Sequence, residues 1–275
     1  MSDASSTRGF PPPIVRGKNP VACSEFTPEN LLREARRQKA LATETVPELC
    51  ILDPDGDMVR HLVAAGCARR HLAWACYHTE LHTFELEGLN FGIIGCAVGA
   101  PFAVLVSEEL FASGCKFLVS MTSAGQILPI QAPPYFIVID RALRDEGTSY
   151  HYLAAADYST ASDSLLRLCT EALTTADIAV QIGATWTTDA PFRETADAID
   201  MAKKAGILAV EMEAAALYAF AEARRKPVIC IAHVTNQLGR IEGDFEKGAA
   251  DGTEESLKLI ASVARAYERE YLNSG

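Results

Sequence analysis

Residues 207–234 read ILAVEMEAAALYAFAEARRKPVICIAHV. The stretch opens on an apolar run (207–212), passes through an alanine-rich helical segment (213–225), and closes on VICIAHV (228–234). A strand with one face in water alternates apolar and polar residues. VICIAHV does not alternate, so both of its faces are covered, as in a mainly parallel sheet between helix layers. This strand–helix–strand unit predicts an α/β fold: a three-layer α/β/α sandwich around a central mixed, mainly parallel sheet.

The same pattern recurs outward from this stretch. Short β-branched runs predict strands at LCIL (49–52), FGIIGCAV (91–98), FLVSM (117–121), YFIVI (135–139) and IAVQIGA (178–184). Helices fit 28–41, 56–65, 102–113, 160–176, 193–205 and 254–272. Thr27 is the N-cap expected for the first, with Pro28 at its first position. In the last, Leu257, Ile260, Val263, Ala264, Tyr267 and Tyr271 fall on one stripe, and Asp251 and Glu254 have capping-box spacing. Residues 1–27, with a PPP run among small polar residues, read as a mobile arm, and 28–275 as a single catalytic domain.

Composition excludes several classes of partner. The formal net charge is −11, which repels the backbone of nucleic acids and anionic membranes. No apolar stretch approaches the roughly 20 residues that span a bilayer. The first residues have no apolar core of the secretory kind, so a cytoplasmic location is expected. The eight cysteines show no C-x-x-C pair, and no metal-ligand spacing appears. Several sit in apolar runs, where cysteine acts as a small hydrophobe in a reducing compartment.

Ligands of such sheets bind beyond the carboxyl ends of the strands. At the end of 207–212, Glu211, Met212 and Glu213 lead into a helix. Acids there suit the helix dipole, and a carboxylate there also accepts hydrogen bonds from a vicinal diol. The strand in AHVTNQLG (232–239) delivers Asn236, whose amide suits the edge of a nucleobase and also suits an Asx turn. In ATWTTDAPFRET (184–195), Trp186 and Phe192 are candidates to stack on a base, with core packing as the plain alternative.

EMEAAALYAF (211–220) resembles the ribose-binding signature of the nucleoside phosphorylase and uridine phosphorylase superfamily. The similarity runs from about residue 45, with SAG (123–125), GTSYHY (147–152) and EMEAAAL in family order. The resemblance implies that Glu213 grips the ribose hydroxyls, Met212 packs on the sugar, and Glu211 lies close by. It places Asn236, catalytic with Glu213, against the departing base, together with Gly125, Trp186 and Phe192. The T-N pair (235–236) leans toward the purine enzymes, and the Gln-x-Arg pair of uridine phosphorylases does not appear.

The phosphate side departs from the family. Gly-Asp-Pro followed by arginine becomes LDPDGDMVR (52–60), so Gly56 and Arg60 stand in shifted positions. R-x-G-T-x-G becomes SMTSAG (120–125), keeping Ser123 at the hydroxyl position but losing the arginine. The arginine given by a neighbouring subunit falls near Tyr77 or His78, in CYHTELH. Gly99, at the helix-opening turn VGAPFAV (98–104), offers backbone N–H groups to an anion. What the resemblance implies is phosphorolysis of a nucleoside with inorganic phosphate as co-substrate and no other cofactor. It also implies a homo-oligomer (dimer, trimer or hexamer) with shared active sites. Water as nucleophile, or nucleoside binding without turnover, are the alternatives left open by the displaced arginines.

Overall fold

The computed structural model describes residues 12–239 and 242–273. The strand 228–234 extends to Val228–Asn236, and all nine residues are buried. It lies parallel to Phe117–Gln126, in the register Ile229↔Val119 through Ser123↔His233 to Gly125↔Asn236. Those two strands, β10 and β5, form the spine of the molecule.

In chain order the elements begin with α1 (Pro28–Lys39), β1 (Leu49–Asp53), α2 (Asp57–Ala64), β2 (Arg69–Arg70) and β3 (His82–Leu86). Then come β4 (Leu89–Gly95), α3 (Ala100–Ala112), β5, β6 (Tyr135–Asp145), β7 (Tyr158–Thr160) and α4 (Asp163–Thr175). The chain continues through β8 (Gln181–Thr188), α5 (Ala196–Lys204), β9 (Ala209–Glu211), α6 (Ala214–Arg224), β10 and α7 (Thr253–Tyr267). Helices α4, α7 and α2 pack together in one layer, and α1, α3 and α6 in another, with the sheet between them. The sandwich and its mixed sheet are as the sequence predicts.

The sheet order is β10-β6-β8-β9-β5-β1-β4-β3-β2, and β10 pairs with β5 as well. Five strands therefore close on themselves, while β1 to β4 extend from β5 as an open wing. Closure brings the carboxyl ends of β5, β8 and β10 beside the short β9: Gly125 pairs with Val210, and Thr187 with Glu211. The site residues are gathered by this closure.

Buried tyrosine locks the layers. Residues 214–220 of α6 are all buried, and the Tyr218 hydroxyl donates to the Ile139 carbonyl at 2.6 Å while accepting from the Cys230 amide at 3.1 Å. One side chain thus ties α6 to β6 and β10. The stripe on α7 buries Ile260, Val263, Ala264 and Tyr267, the last stacked on Phe117 at 4.1 Å, while Tyr271 stays exposed.

Some boundaries differ from expectation. β5 and β6 run five and six residues beyond FLVSM and YFIVI, through polar residues that stay paired in the sheet. The Asp251–Glu254 capping box does not form. Instead Gly252 caps α7 at φ +74°, because a Cβ there would lie 2.2 Å from the His233 ring. The Thr27 cap is present, accepting from the Asn30 amide at 3.3 Å. Of the expected arm, residues 1–11 lie outside the described residues. Residues 12–27 contain no helix or strand, and Ser24 accepts from Arg224 at 3.2 Å.

Candidate active site

The strand β9 ends on Glu211, and the turn to α6 places two carboxylates in the interior. Glu211 is 3 % exposed and accepts four hydrogen bonds: from the hydroxyls of Thr185 and Thr187, and from the amides of Glu213 and Ala214. The two amides belong to the first turn of α6, where an acid meets the positive end of the helix. A carboxylate has about four lone-pair positions, so Glu211 has none left for a sugar hydroxyl. It is a strut of the site, and its expected contact with ribose is corrected accordingly.

Glu213 is 1 % exposed. Its Oε1 accepts from the Gly99 amide at 2.7 Å, and its Oε2 from the Thr122 hydroxyl at 2.6 Å and the Met212 amide at 3.3 Å. Burial, followed by the charge of Glu211, pushes its carboxyl up to about 7. Glu213 has no ion-pair partner among the described residues. Met212 is half-buried beside it. Gly99, expected to offer its N–H to an external anion, gives it to Glu213 instead. The start of α3 does hold an anion, but one belonging to the chain.

Thr122 was missed by sequence reasoning. It stands where R-x-G-T-x-G has its second conserved position, a glycine, and that replacement was the available signal. Ser123, at the hydroxyl position, is half-buried and pairs in register with His233. His233 stacks on Phe136 at 4.6 Å, and burial with the nearby Lys247 charge lowers it to about 4, so it is neutral at pH 7.

Asn236 ends β10 at 8 % exposure. Its Oδ1 accepts from the Leu238 amide at 2.9 Å and its Nδ2 donates to the Thr235 hydroxyl at 3.1 Å. The Asx turn is therefore present, with one N–H and one lone pair of the amide still uncommitted. Gly125 lies beneath this turn. A Cβ there would come within 2.5 Å of Leu238 and 3.2 Å of the Asn236 Oδ1, so only glycine lets the turn sit this close.

The expected stacking pair is split. Trp186 is a core residue, packed with Ile127, Ile199, Ala202 and Val210, and its indole N–H donates to Asp145 at 3.0 Å. Phe192 is 99 % exposed. Neither ring joins the Glu213 group. The GTSYHY loop is built on Arg144, which is buried rather than solvated: it donates to Ser149 and to the Ala154 carbonyl and lies 4.4 Å from the Tyr150 ring.

The β1–α2 loop, where an anion was expected, is acidic. The Gly56 amide donates to Asp53, as does that of Val59. Burial, opposed by those amides, raises the Asp53 carboxyl to about 6. Arg60 is paired with Asp57, and Lys247, another residue the sequence did not single out, bridges Asp55 at 2.6 Å and Asp57. Both nearby cations are neutralised by this loop. Its link to Glu213 runs through the β4–α3 turn: the Cys96 amide donates to the Asp53 carbonyl, and Gly99 follows three residues later. His78 is exposed, 6.5 Å from Phe102 in the first turn of α3. Among the described residues no helix is long and apolar enough to cross a membrane.

A chain folded this way, with its polar groups gathered at these strand ends, is an α/β enzyme of the pentosyl-transferring kind. It belongs to the phosphorylase superfamily, whose sequence profile matches residues 48–267. It is 27 % identical over 244 residues to a uridine phosphorylase of Thermococcus kodakarensis, covering 78 % of this chain and 87 % of that one. It is 28 % identical over 222 residues to a guanosine phosphorylase of Halorubrum lacusprofundi, covering 80 % and 90 %. The crystal structure of a uridine phosphorylase from Vibrio fischeri superposes with a TM-score of 0.67 at 20 % identity, over 84 % of this chain and 97 % of that one. That last likeness shows the shared fold.

Proposed function

We propose that this chain cleaves the N-glycosidic bond of a nucleoside with inorganic phosphate, releasing free base and sugar 1-phosphate, without a further cofactor. The observation that carries the reading is Glu213, a carboxylate held at the β9–α6 junction by the amide of Gly99 and the hydroxyl of Thr122. Cleavage passes through a sugar with oxocarbenium character, so the site must fix the furanose, receive the base and seat a nucleophile. Glu213 retains acceptor capacity for a sugar hydroxyl, and Met212 lies beside it. The free N–H of Asn236 stabilises charge on the departing base by hydrogen bonding, since a neutral amide delivers no proton. The relatives' names divide between uridine and purine substrates, and the Thr235–Asn236 pair favours a purine.

A second reading, hydrolysis, is favoured by one feature. The N–H groups of Gly56 and Gly99 and the cations Arg60 and Lys247 are engaged by the chain's own carboxylates, leaving the nucleophile pocket poor in anion donors. Phosphorolysis then draws on Ser123 and on a residue such as His78 from a neighbouring copy, in a homo-oligomer with shared sites. Chromatography of nucleosides incubated with and without phosphate separates the readings. Base released only with phosphate supports phosphorolysis, and base released equally without it supports hydrolysis. Base released in neither condition would overturn the enzyme reading. Glu213→Ala should lose at least about a hundredfold in kcat/KM if the carboxylate grips the sugar in the transition state.

A further inference from the structure

The Thr122 hydroxyl occupies an acceptor position on Glu213 that a second sugar hydroxyl would need. From this we infer that the site selects nucleosides whose sugar lacks the 2′-hydroxyl. The inference rests on the proposed role of Glu213 and goes beyond it by naming the sugar.

The argument is a count of lone pairs. A vicinal diol grips a carboxylate by donating one hydrogen to each oxygen, so both oxygens must have a free acceptor position. On Glu213, Oε2 already accepts two hydrogen bonds: 2.6 Å from the Thr122 hydroxyl and 3.3 Å from the Met212 amide. Its two lone pairs are taken. Oε1 accepts one, 2.7 Å from the Gly99 amide, and keeps one free. Glu213 thus has room for one sugar hydroxyl and not for two.

The Thr122 hydroxyl has one proton and two acceptors in reach, and the Glu213 oxygen at 2.6 Å is closer than the Ser123 carbonyl at 3.2 Å. Thr122 is 4 % exposed and lies within β5, where it pairs in register with Ala232 of β10. Its methyl and hydroxyl fill space that the glycine of R-x-G-T-x-G would leave empty. A ribonucleoside must therefore break the Thr122–Glu213 bond or leave its 2′-hydroxyl desolvated and unpaired. Either is expensive in a buried site. A 2′-deoxyribonucleoside meets neither difficulty and keeps its 3′-hydroxyl for Oε1.

The test compares kcat/KM for a nucleoside and its 2′-deoxy counterpart, in the wild type and in two variants. The wild type should favour the deoxy sugar. Thr122→Ala vacates the hydroxyl and the methyl without removing the Cβ that a strand prefers. It should shift the ratio toward the ribonucleoside by at least about tenfold, the worth of one hydrogen bond to a charged group. Thr122→Ser restores the hydroxyl and should restore the wild-type ratio. A purely structural role for Thr122 would change both rates together and leave the ratio alone. A wild type that treats the two sugars alike or prefers the ribonucleoside overturns the inference, as does an unchanged ratio in Thr122→Ala. Release of base from neither sugar removes the proposed function itself, and this inference with it.

Discussion

Glu213 sets the pH response of the site. Its carboxyl titrates near 7, because burial disfavours the charge and Glu211 adds repulsion. A sugar hydroxyl donates more strongly to the ionised carboxylate than to the neutral acid, so kcat/KM should fall, by up to about tenfold per unit, as the pH drops below about 7. Glu213→Gln should be slow and should lose this acidic limb, and a limb unchanged in that variant would assign the titration to another group. Stability runs the opposite way. The folded-state value lies above the ordinary 4.5, so the stabilisation it brings is full below about 4.5 and is lost as pH rises through about 7. The EME motif was legible in the sequence because it joins a strand end to a helix start. What one carboxylate does and the other does not was illegible, since that depends on Thr122, Thr185 and Thr187 arriving from two other strands.

At the scale of elements, the β1–α2 loop makes the most direct claim about the co-substrate. Asp57 is held below its ordinary carboxylate range, with burial outweighed by hydrogen bonds from Lys247 and Arg60. Phosphate entering here competes with Asp57 for the same two cations. Asp57→Asn should therefore lower the KM for phosphate about fivefold with little change in the nucleoside KM. A higher phosphate KM would show that the pairing shapes the loop rather than blocking it. The α6 tie makes a stability claim. Tyr218→Phe leaves the Cys230 amide and the Ile139 carbonyl without this partner in a sealed interior, at a cost of about 1–3 kcal/mol. The urea midpoint should drop with an unchanged slope. Apolar runs revealed where strands begin but not where β5 and β6 end, because TSAGQ and DRALRD stay in the sheet through pairing that no local pattern records. The strands β2, β3 and β7 escaped the reading for the same reason: they are short or half-exposed, and they are defined by their neighbours.

The molecule as a whole poses the question of where its missing arginines are replaced. The α/β class was legible throughout, because doubly covered strands announce themselves. The closure of β5, β10, β6, β8 and β9 was not, since β5 pairs with three different strands, β1, β10 and β9, along its length. That closure gathers Glu213, Thr122 and Asn236 in one chain, while His78 stands outside the closed strands, exposed and 6.5 Å from Phe102 on α3. Within its own chain Glu213 is held by Gly99, Thr122 and Met212, and His78 is not among its hydrogen-bond partners. We propose that His78 serves the site of a neighbouring copy. Mixed assemblies decide this. Glu213→Ala and His78→Ala proteins should each be nearly inactive alone. Unfolded, mixed in equal amounts and refolded together, they should recover activity, because some sites in a mixed oligomer pair an intact Glu213 with an intact His78. A dimer offers two sites, and a random mixture makes half of all dimers mixed. One site in a mixed dimer is fully intact, so about a quarter of wild-type activity is the expected yield. No recovery, with a sedimentation profile showing that mixed oligomers form, would confine His78 to the surface and return the phosphate to groups of the same chain.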